Sequence, residues 1–189
     1  IHGGFGPLPP GFVYAPFNDI AALGAAITDK TVAILMEPIQ GESGVNAVTP
    51  EFLRAAQRLC REKDLLLLLD EVQCGFGRAG EMAGWRSIIP GDEIQPDGIS
   101  WAKAIGSGFP LGSFWVNDRR DLSKTLGPGT HGTTYGGSPL ACAVGIATLR
   151  TILDEKLCDN AKARGAAIAA AACGWNHVLI KEVRQLGLF

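Results

Sequence analysis

Apolar residues fall along the chain in runs that predict alternating strands and helices. The segments TVAILMEP (31–38) and LLLLLD (65–70) are short, continuous and apolar, as buried parallel strands are. Between them, Thr49-Pro50-Glu51 has the cap and the first-turn proline of a helix. This order predicts an α/β fold, with a mostly parallel central sheet and helices on both faces.

The flanking segments extend the same order. The opening is rich in Pro and Gly and predicts a loop, after which Asn18 or Asp19 caps a short helix through about Ile27. Further short strands or extended segments are expected at 97–104 and 111–116, alanine-rich helices at about 138–154 and 156–172, and one more strand at 177–184.

Composition describes an ordinary globular chain and argues against two classes of partner. The 189 residues fit one medium domain, 47% of them are hydrophobic, and the formal net charge is −2. No Lys/Arg excess favours nucleic acid or an anionic membrane, and no apolar run is long enough to span a bilayer. The opening Ile1-His2-Gly3-Gly4 lacks the pattern of a signal peptide.

Cysteine and histidine usage favours a cytoplasmic protein without a metal site. The five cysteines are odd in number, widely spread and form no C-x-x-C pair, which is typical of reduced thiols. The three histidines stand far apart in the sequence. We therefore expect neither a disulfide framework nor a metal cluster.

Candidate chemistry is concentrated just after the predicted strands, where ligands bind in open α/β sheets. The residues concerned are Glu37, Gln40 and Glu42 after the first strand, Asp70, Val72 and Gln73 after the second, Lys103 in SWAKAIGSGFP, and the polar stretch HGTTYGGSP (131–139) before a helix.

Each of these features has an ordinary structural explanation beside a functional one. Lys103 is either a lysine at a strand edge or a desolvated amine able to form a Schiff base. Asp70 is either a solvated strand end or the partner of a pyridine nitrogen. The stretch 133–137 is either a helix-capping loop or a phosphate site. The combination indicates pyridoxal phosphate.

Four segments resemble the central motifs of the class III aminotransferases of fold type I, in the family's order. They are MEPIQGESG, LDEVQCGFGRAGE, AKAIGSGFPLG and HGTTYGGSPLACAVG. The resemblance covers essentially the whole chain and implies the large pyridoxal-phosphate-binding domain of that fold. The opening GFGPLPPGF…PFNDI is most similar to acetylornithine aminotransferases, with ornithine aminotransferases next.

The resemblance also implies roles for individual residues. Lys103 is expected to form the Schiff base and to carry the proton, and Asp70 to pair with the ring nitrogen. Val72 is expected to pack on the ring, and Gln73 to meet the ring hydroxyl. Thr134 is expected to bind the cofactor phosphate across the interface of a homodimer.

Two glutamates receive lesser roles by the same resemblance. Glu42 matches the glutamate that pairs with the substrate-binding arginine and releases it when substrate arrives. Glu37 matches a family glutamate whose role here is expected to be structural. The catalytic pair remains Lys103 and Asp70.

The implied reaction transfers the terminal amino group of an ω-amino acid to 2-oxoglutarate. N-acetylornithine is the first choice of donor, which indicates arginine biosynthesis, and ornithine or 4-aminobutyrate are alternatives. A Schiff-base aldolase, a nucleotide-binding module and a catalytically inactive copy also remain open. Against the nucleotide module, the sequence contains neither G-x-G-x-x-G nor G-x-x-x-x-G-K-[ST].

Some features that the family carries are missing from this sequence. We find no earlier phosphate loop, no ring-stacking aromatic and no C-terminal domain with the carboxylate-binding arginine; Arg184 matches a different family arginine. We therefore expect residues 1–176 to be a partial cofactor-binding large domain and 177–189 the truncated start of the small domain. Cys74, Ala79 and Ser138 replace the family's commoner residues near the site.

Overall fold

The computed structural model of the protein describes residues 3–42 and 44–189. Ile1 and His2, which enter the prediction about a signal peptide, and Ser43, in the predicted turn, lie outside these ranges. The helices are α1 (Ile20–Ala26), α2 (Pro50–Glu62), α3 (Leu122–Thr125), α4 (Pro139–Asp154) and α5 (Leu157–Cys173). The strands are β1 (Ala33–Met36), β2 (Ile39–Gln40), β3 (Asn46–Ala47), β4 (Leu66–Asp70), β5 (Gly98–Trp101) and β6 (Ser113–Val116).

The central sheet has four strands in the order β1-β4-β5-β6. The first three are parallel, and β6 pairs with β5 antiparallel. This arrangement confirms the predicted α/β fold with a mostly parallel sheet. A separate antiparallel pair, β2 with β3, flanks the turn that follows β1 and was not predicted.

Local signals in the sequence set where the first two helices begin. Asp19 caps α1, since its Oδ1 accepts a hydrogen bond from the Ala22 N–H at 2.9 Å. Thr49 caps α2 in the same way, with its Oγ1 accepting from the Phe52 N–H at 3.1 Å, and Pro50 occupies the first turn. Both helices therefore begin where the sequence predicts.

The main core lies between the sheet and helices α1 and α2. Alternate residues of β4 point into it, because side chains on a strand alternate between the two faces. The core includes Leu23 of α1, Phe52, Leu53, Ala56 and Cys60 of α2, Ile34 of β1, Leu67 and Leu69 of β4, Ile99 of β5, and Trp85, Ile89 and Ile94 of the intervening loop. The opposite face is more open: Leu35 is 56% exposed and Phe114 55%.

Helices α4 and α5 pack together beside the segment that follows β5. Helix α4 packs against α5 and against a 3-10 turn, Lys103–Gly106, that follows β5. Few of their residues are buried, namely Ala141 and Ile152 of α4 and Ala161 and Gly165 of α5. No helix in the described ranges is long and apolar enough to cross a membrane.

The strand predicted at 177–184 is wrong. This segment is irregular and largely exposed, because no strand in the described part of the chain pairs with it. The residues that follow this segment pack against the rest of the described chain. Leu186 and Phe189 pack on a small second core of Ile39, Cys74 and Ala79, and the Leu188 N–H donates to the Arg78 carbonyl at 2.9 Å.

Candidate active site

The carboxyl ends of three neighbouring strands form the floor of the candidate site. The register pairs Met36 of β1 with Leu69 of β4, and Asp70 of β4 with Ser100 of β5. Because Leu67 and Leu69 point into the main core, Asp70 points to the opposite face of the sheet. The parallel ladder thus delivers Asp70 to the sheet edge at which ligands of this fold class bind.

Asp70 is half-buried and oriented by its own turn. Its Oδ1 accepts a hydrogen bond from the Val72 N–H at 3.0 Å, which holds the carboxylate at the strand end. Val72 is half-buried beside it.

Lys103 occupies an uncommon backbone conformation. It begins the 3-10 turn after β5 with φ +46°, in the left-handed region that a residue with a side chain adopts at a cost of about 1–3 kcal/mol. Ser107, which ends the same turn, also has a positive φ of 45°. This backbone projects the exposed Lys103 side chain into a cleft rather than along the strand.

The cleft is broad, with a volume of about 1340 Å³. Lys103 and Gln73 line it on the sheet side, α4 closes one wall, and the end of the chain closes another. The lining residues include Phe76, Leu111, Thr148, Ile152, Leu188 and Phe189. A cavity with apolar walls and a few convergent polar groups is typical of a small-molecule site.

Gln73 links the sheet edge to the turn after β2. Its Nε2 donates to Glu42 Oε1 at 3.4 Å, while its Oε1 is buried and has no hydrogen-bond partner in the described chain. Gly41 makes this position possible, because a Cβ on Gly41 would lie 1.8 Å from Gln73 Oε1 and 2.5 Å from the Phe189 ring. Gln73 Oε1 is therefore a buried acceptor that the described residues leave without a donor.

Glu37 belongs to the same group of charges. Its half-buried carboxyl lies near Asp70, Lys103 and Glu42 and accepts a hydrogen bond from the Gly41 N–H. Burial raises the pKa of Glu37, and the negative charge of Asp70 raises it further, while the Lys103 ammonium lowers it. The sequence predicts that Glu37 lies at the same sheet edge as Asp70 and Lys103, although the role expected for it there is structural.

Glu71, next to Asp70, points away from the cleft and is 1% exposed. Its carboxylate accepts from the Trp85 N–H at 2.9 Å and from Trp101 Nε1 at 3.2 Å. Trp101 in turn meets Phe76 edge-on, with ring centroids 5.6 Å apart. Glu71 therefore ties the loop after β4 to the end of β5, two residues before Lys103.

The structure does not bring Thr134 to this cleft. Thr134 lies on the exposed loop before α4, among residues 131–137, which are all exposed. Ser138 at the end of that loop caps α4, with its Oγ accepting from the Ala141 N–H at 3.4 Å. The structure thus groups Lys103, Asp70, Gln73 and Glu42, and leaves Thr134 apart.

Sequence reasoning missed the residues that the end of the chain contributes. Leu188 and Phe189 line the cleft although no motif singles them out. Their only signal in the sequence is an apolar pair after a glycine, which is too common to assign to a site. Trp101 stands two residues before Lys103 in the sequence, but its hydrogen bond to Glu71 depends on tertiary structure.

Known proteins with similar sequences identify the family to which the chain belongs. The chain is 43% identical to an acetylornithine aminotransferase of Methanocaldococcus jannaschii, over 98% of this chain and 46% of the relative. It is 42% identical to an ornithine aminotransferase of a Geobacillus species, again over 98% of this chain and 46% of the relative. The chain therefore spans about half the length of the curated relatives it matches.

Solved structures agree. An ornithine aminotransferase of Toxoplasma gondii superposes with a TM-score of 0.88 at 39% identity, covering 99% of this chain and 44% of that one. An acetylornithine aminotransferase of Elizabethkingia anophelis gives a TM-score of 0.84 at 36% identity, over 98% and 46%. The family model for aminotransferase class III matches residues 1–189. Because its motifs and its sheet agree with these proteins and the family model matches it over its whole length, the chain belongs to the class III aminotransferases, a pyridoxal-phosphate-dependent family.

Proposed function

We propose that this chain carries the lysine-bearing part of an aminotransferase that moves the terminal amino group of an ω-amino acid to 2-oxoglutarate. The observation that carries the proposal is Lys103, held in a left-handed backbone conformation and projected into the cleft. A strained residue that aims a nucleophilic amine into a cavity has no evident packing purpose. Asp70 at the neighbouring strand end supplies the second group that the chemistry needs.

The residues present fit pyridoxal phosphate. Lys103 supplies an amine for the aldehyde, Asp70 supplies a carboxylate for the ring nitrogen, and Gln73 supplies a buried acceptor without a donor for the ring hydroxyl. When bound, the cofactor provides an electron sink for the substrate carbon. Val72, beside Asp70, is proposed to pack against the ring.

Each residue then has a definite task in the proposed reaction. Lys103 would hold the cofactor through its amine, and the same amine would carry a proton to and from the substrate carbon. Asp70 keeps the ring nitrogen protonated. Glu42, held by Gln73, is proposed to pair with a substrate-binding arginine and to release it for the α-carboxylate.

Assembly is also part of the proposal. Thr134 is exposed and apart from the cleft, which supports a phosphate contact made in a partner subunit of a homodimer. We propose residues 1–176 as part of the large domain and 177–189 as the beginning of the small domain. A cytoplasmic location stays a prediction from cysteine usage.

Cofactor binding tests the proposal directly. The chain incubated with pyridoxal phosphate should develop absorbance near ~410–430 nm from the lysine-bound cofactor, and Lys103→Ala should abolish it. Lys30→Ala, which removes an exposed lysine after α1, is the matched control and should leave the absorbance unchanged. Absence of this absorbance at saturating cofactor would show that the chain does not hold the cofactor.

The choice of amino donor needs a separate experiment. The relatives include an acetylornithine aminotransferase that is 43% identical to this chain and an ornithine aminotransferase that is 42% identical. N-acetylornithine and ornithine are therefore the main candidates for the donor. A protein extended to the full length of its relatives should be assayed with N-acetylornithine, ornithine and 4-aminobutyrate, with 2-oxoglutarate as acceptor. We expect the highest kcat/KM with N-acetylornithine, and a preference for ornithine would identify the alternative.

A further inference from the structure

Glu37 stands in line with the proposed catalytic carboxylate. It directly follows β1, whose Met36 is paired with Leu69, so the register continued by one residue sets Glu37 opposite Asp70. Asp70 is paired in turn with Ser100. Neighbouring strands lie roughly 4.8 Å apart, so three polar side chains share one row on the cleft face of the sheet.

The charged groups around Glu37 come from three other elements. Asp70 faces it from the end of β4, Lys103 from the turn after β5, and Glu42 from the turn after β2. Two of these are carboxylates, and only Lys103 is a cation. Burial and the two carboxylates favour the protonated acid, whereas Lys103 and the Gly41 N–H favour the carboxylate.

A structural acid in this protein is placed differently. Glu71 is buried and satisfied by N–H donors from Trp85 and Trp101. Glu37 is half-buried beside two carboxylates, and because its pKa is raised, the Lys103 ammonium and the Gly41 N–H offset burial and like charge only in part. Such a position makes physical sense if a cationic ligand group binds alongside.

We propose that Glu37 is a positioning residue for the cofactor. Its carboxylate adds a second negative charge beside Asp70, and this charge raises the proton affinity of the ring nitrogen and of the cofactor-bound Lys103 nitrogen. The proposal rests on the function proposed above. Glu37 makes no contact with substrate in this role and acts through Asp70 and Lys103.

The test follows the protonation of the lysine-bound cofactor by absorbance across pH. Removing a nearby negative charge disfavours the protonated form, so Glu37→Gln should lower the midpoint of this transition by about one pH unit, a tenfold change in proton affinity. Glu37→Asp keeps the charge and should recover most of the shift. Glu62→Gln, at the exposed end of α2, is the control and should leave the midpoint unchanged.

The possible outcomes separate the two proposals. If the wild-type chain binds the cofactor and Glu37→Gln has the same midpoint as the wild type, the role of Glu37 is overturned and the proposed function stands. Wild-type chain that develops no lysine-linked absorbance overturns both proposals. A midpoint that falls in Glu37→Gln and is recovered in Glu37→Asp supports both.

A second measurement tests the inference without the Glu37→Gln variant, in case that variant fails to fold. The Glu37 carboxyl is titrated by NMR in the cofactor-free chain, with and without Asp70→Asn. Because the Asp70 charge raises the pKa of Glu37, the Glu37 midpoint should fall in Asp70→Asn. A midpoint that does not move would show that the two carboxyls are not coupled, and would overturn the inference.

Discussion

Asp70 and Glu71 are neighbours in sequence whose side chains leave the sheet in opposite directions. Alternation along β4 predicts that separation, and the structure bears it out for Glu71. The partners of Glu71 were not predictable, because Trp85 lies in the loop and Trp101 on another strand. Strand periodicity indicates where a side chain points, while its donors depend on the tertiary fold.

Burial raises the pKa of Glu71 above its ordinary value of 4.5, against the opposing effect of its hydrogen bonds. A raised folded-state pKa means that protonation favours the folded chain. This contribution is complete below the unfolded pKa and is lost as the pH rises through the folded pKa.

Glu71→Gln cannot ionise and should escape that loss. We expect the free energy of unfolding of the variant, minus that of the wild type, to increase as the pH rises above 4.5. Urea unfolding at a series of pH values measures it. A difference that stays constant with pH would contradict the assignment.

At the scale of elements, helices with caps and strands with continuous apolar runs were predictable. The strand expected at 177–184 fails because an apolar pattern specifies a strand only where another strand is available to pair with it. What holds the chain end instead is a close approach of backbones. A Cβ on Gly165 of α5 would lie 1.6 Å from the Gly187 carbonyl oxygen.

Gly165→Ala should therefore displace the last residues from α5. We expect a loss of about 1–3 kcal/mol in the free energy of unfolding and faster hydrogen exchange at the Leu188 N–H, which bonds the Arg78 carbonyl. Gly24→Ala in α1 is the matched control, since no described residue outside the adjoining helix backbone comes within 4 Å of the added Cβ. Better helix propensity should make that variant slightly more stable. Equal behaviour of the two variants would contradict the close approach.

At the scale of the whole molecule, the sheet keeps one well-covered face and one partly bare face. Leu35 and Phe114 are more than half exposed on the cleft side, and β1 and β6 are edges of the sheet. The chain spans about half the length of its curated relatives. Exposed apolar surface and unpaired strand edges favour association between molecules.

The double substitution Leu35→Lys and Phe114→Lys should reduce that association. We expect the wild-type chain to gain apparent mass with concentration in sedimentation or light scattering, and the double variant to do so far less. Ile168→Lys, on the exposed side of α5, tests whether any added charge has this effect. Equal association of the double variant and the wild type would exclude the sheet face as the cause.

The row formed by Glu37, Asp70 and Ser100 also has a consequence for the order of folding. Each position lies in or directly after a different strand, and a helix or a long loop separates each strand from the next along the chain. Such contacts form late, because distant segments must meet before any contact stabilises them. The charges that define the site therefore come together only when the parallel ladder closes. A partly folded chain contains both carboxylates and Lys103 and has no site.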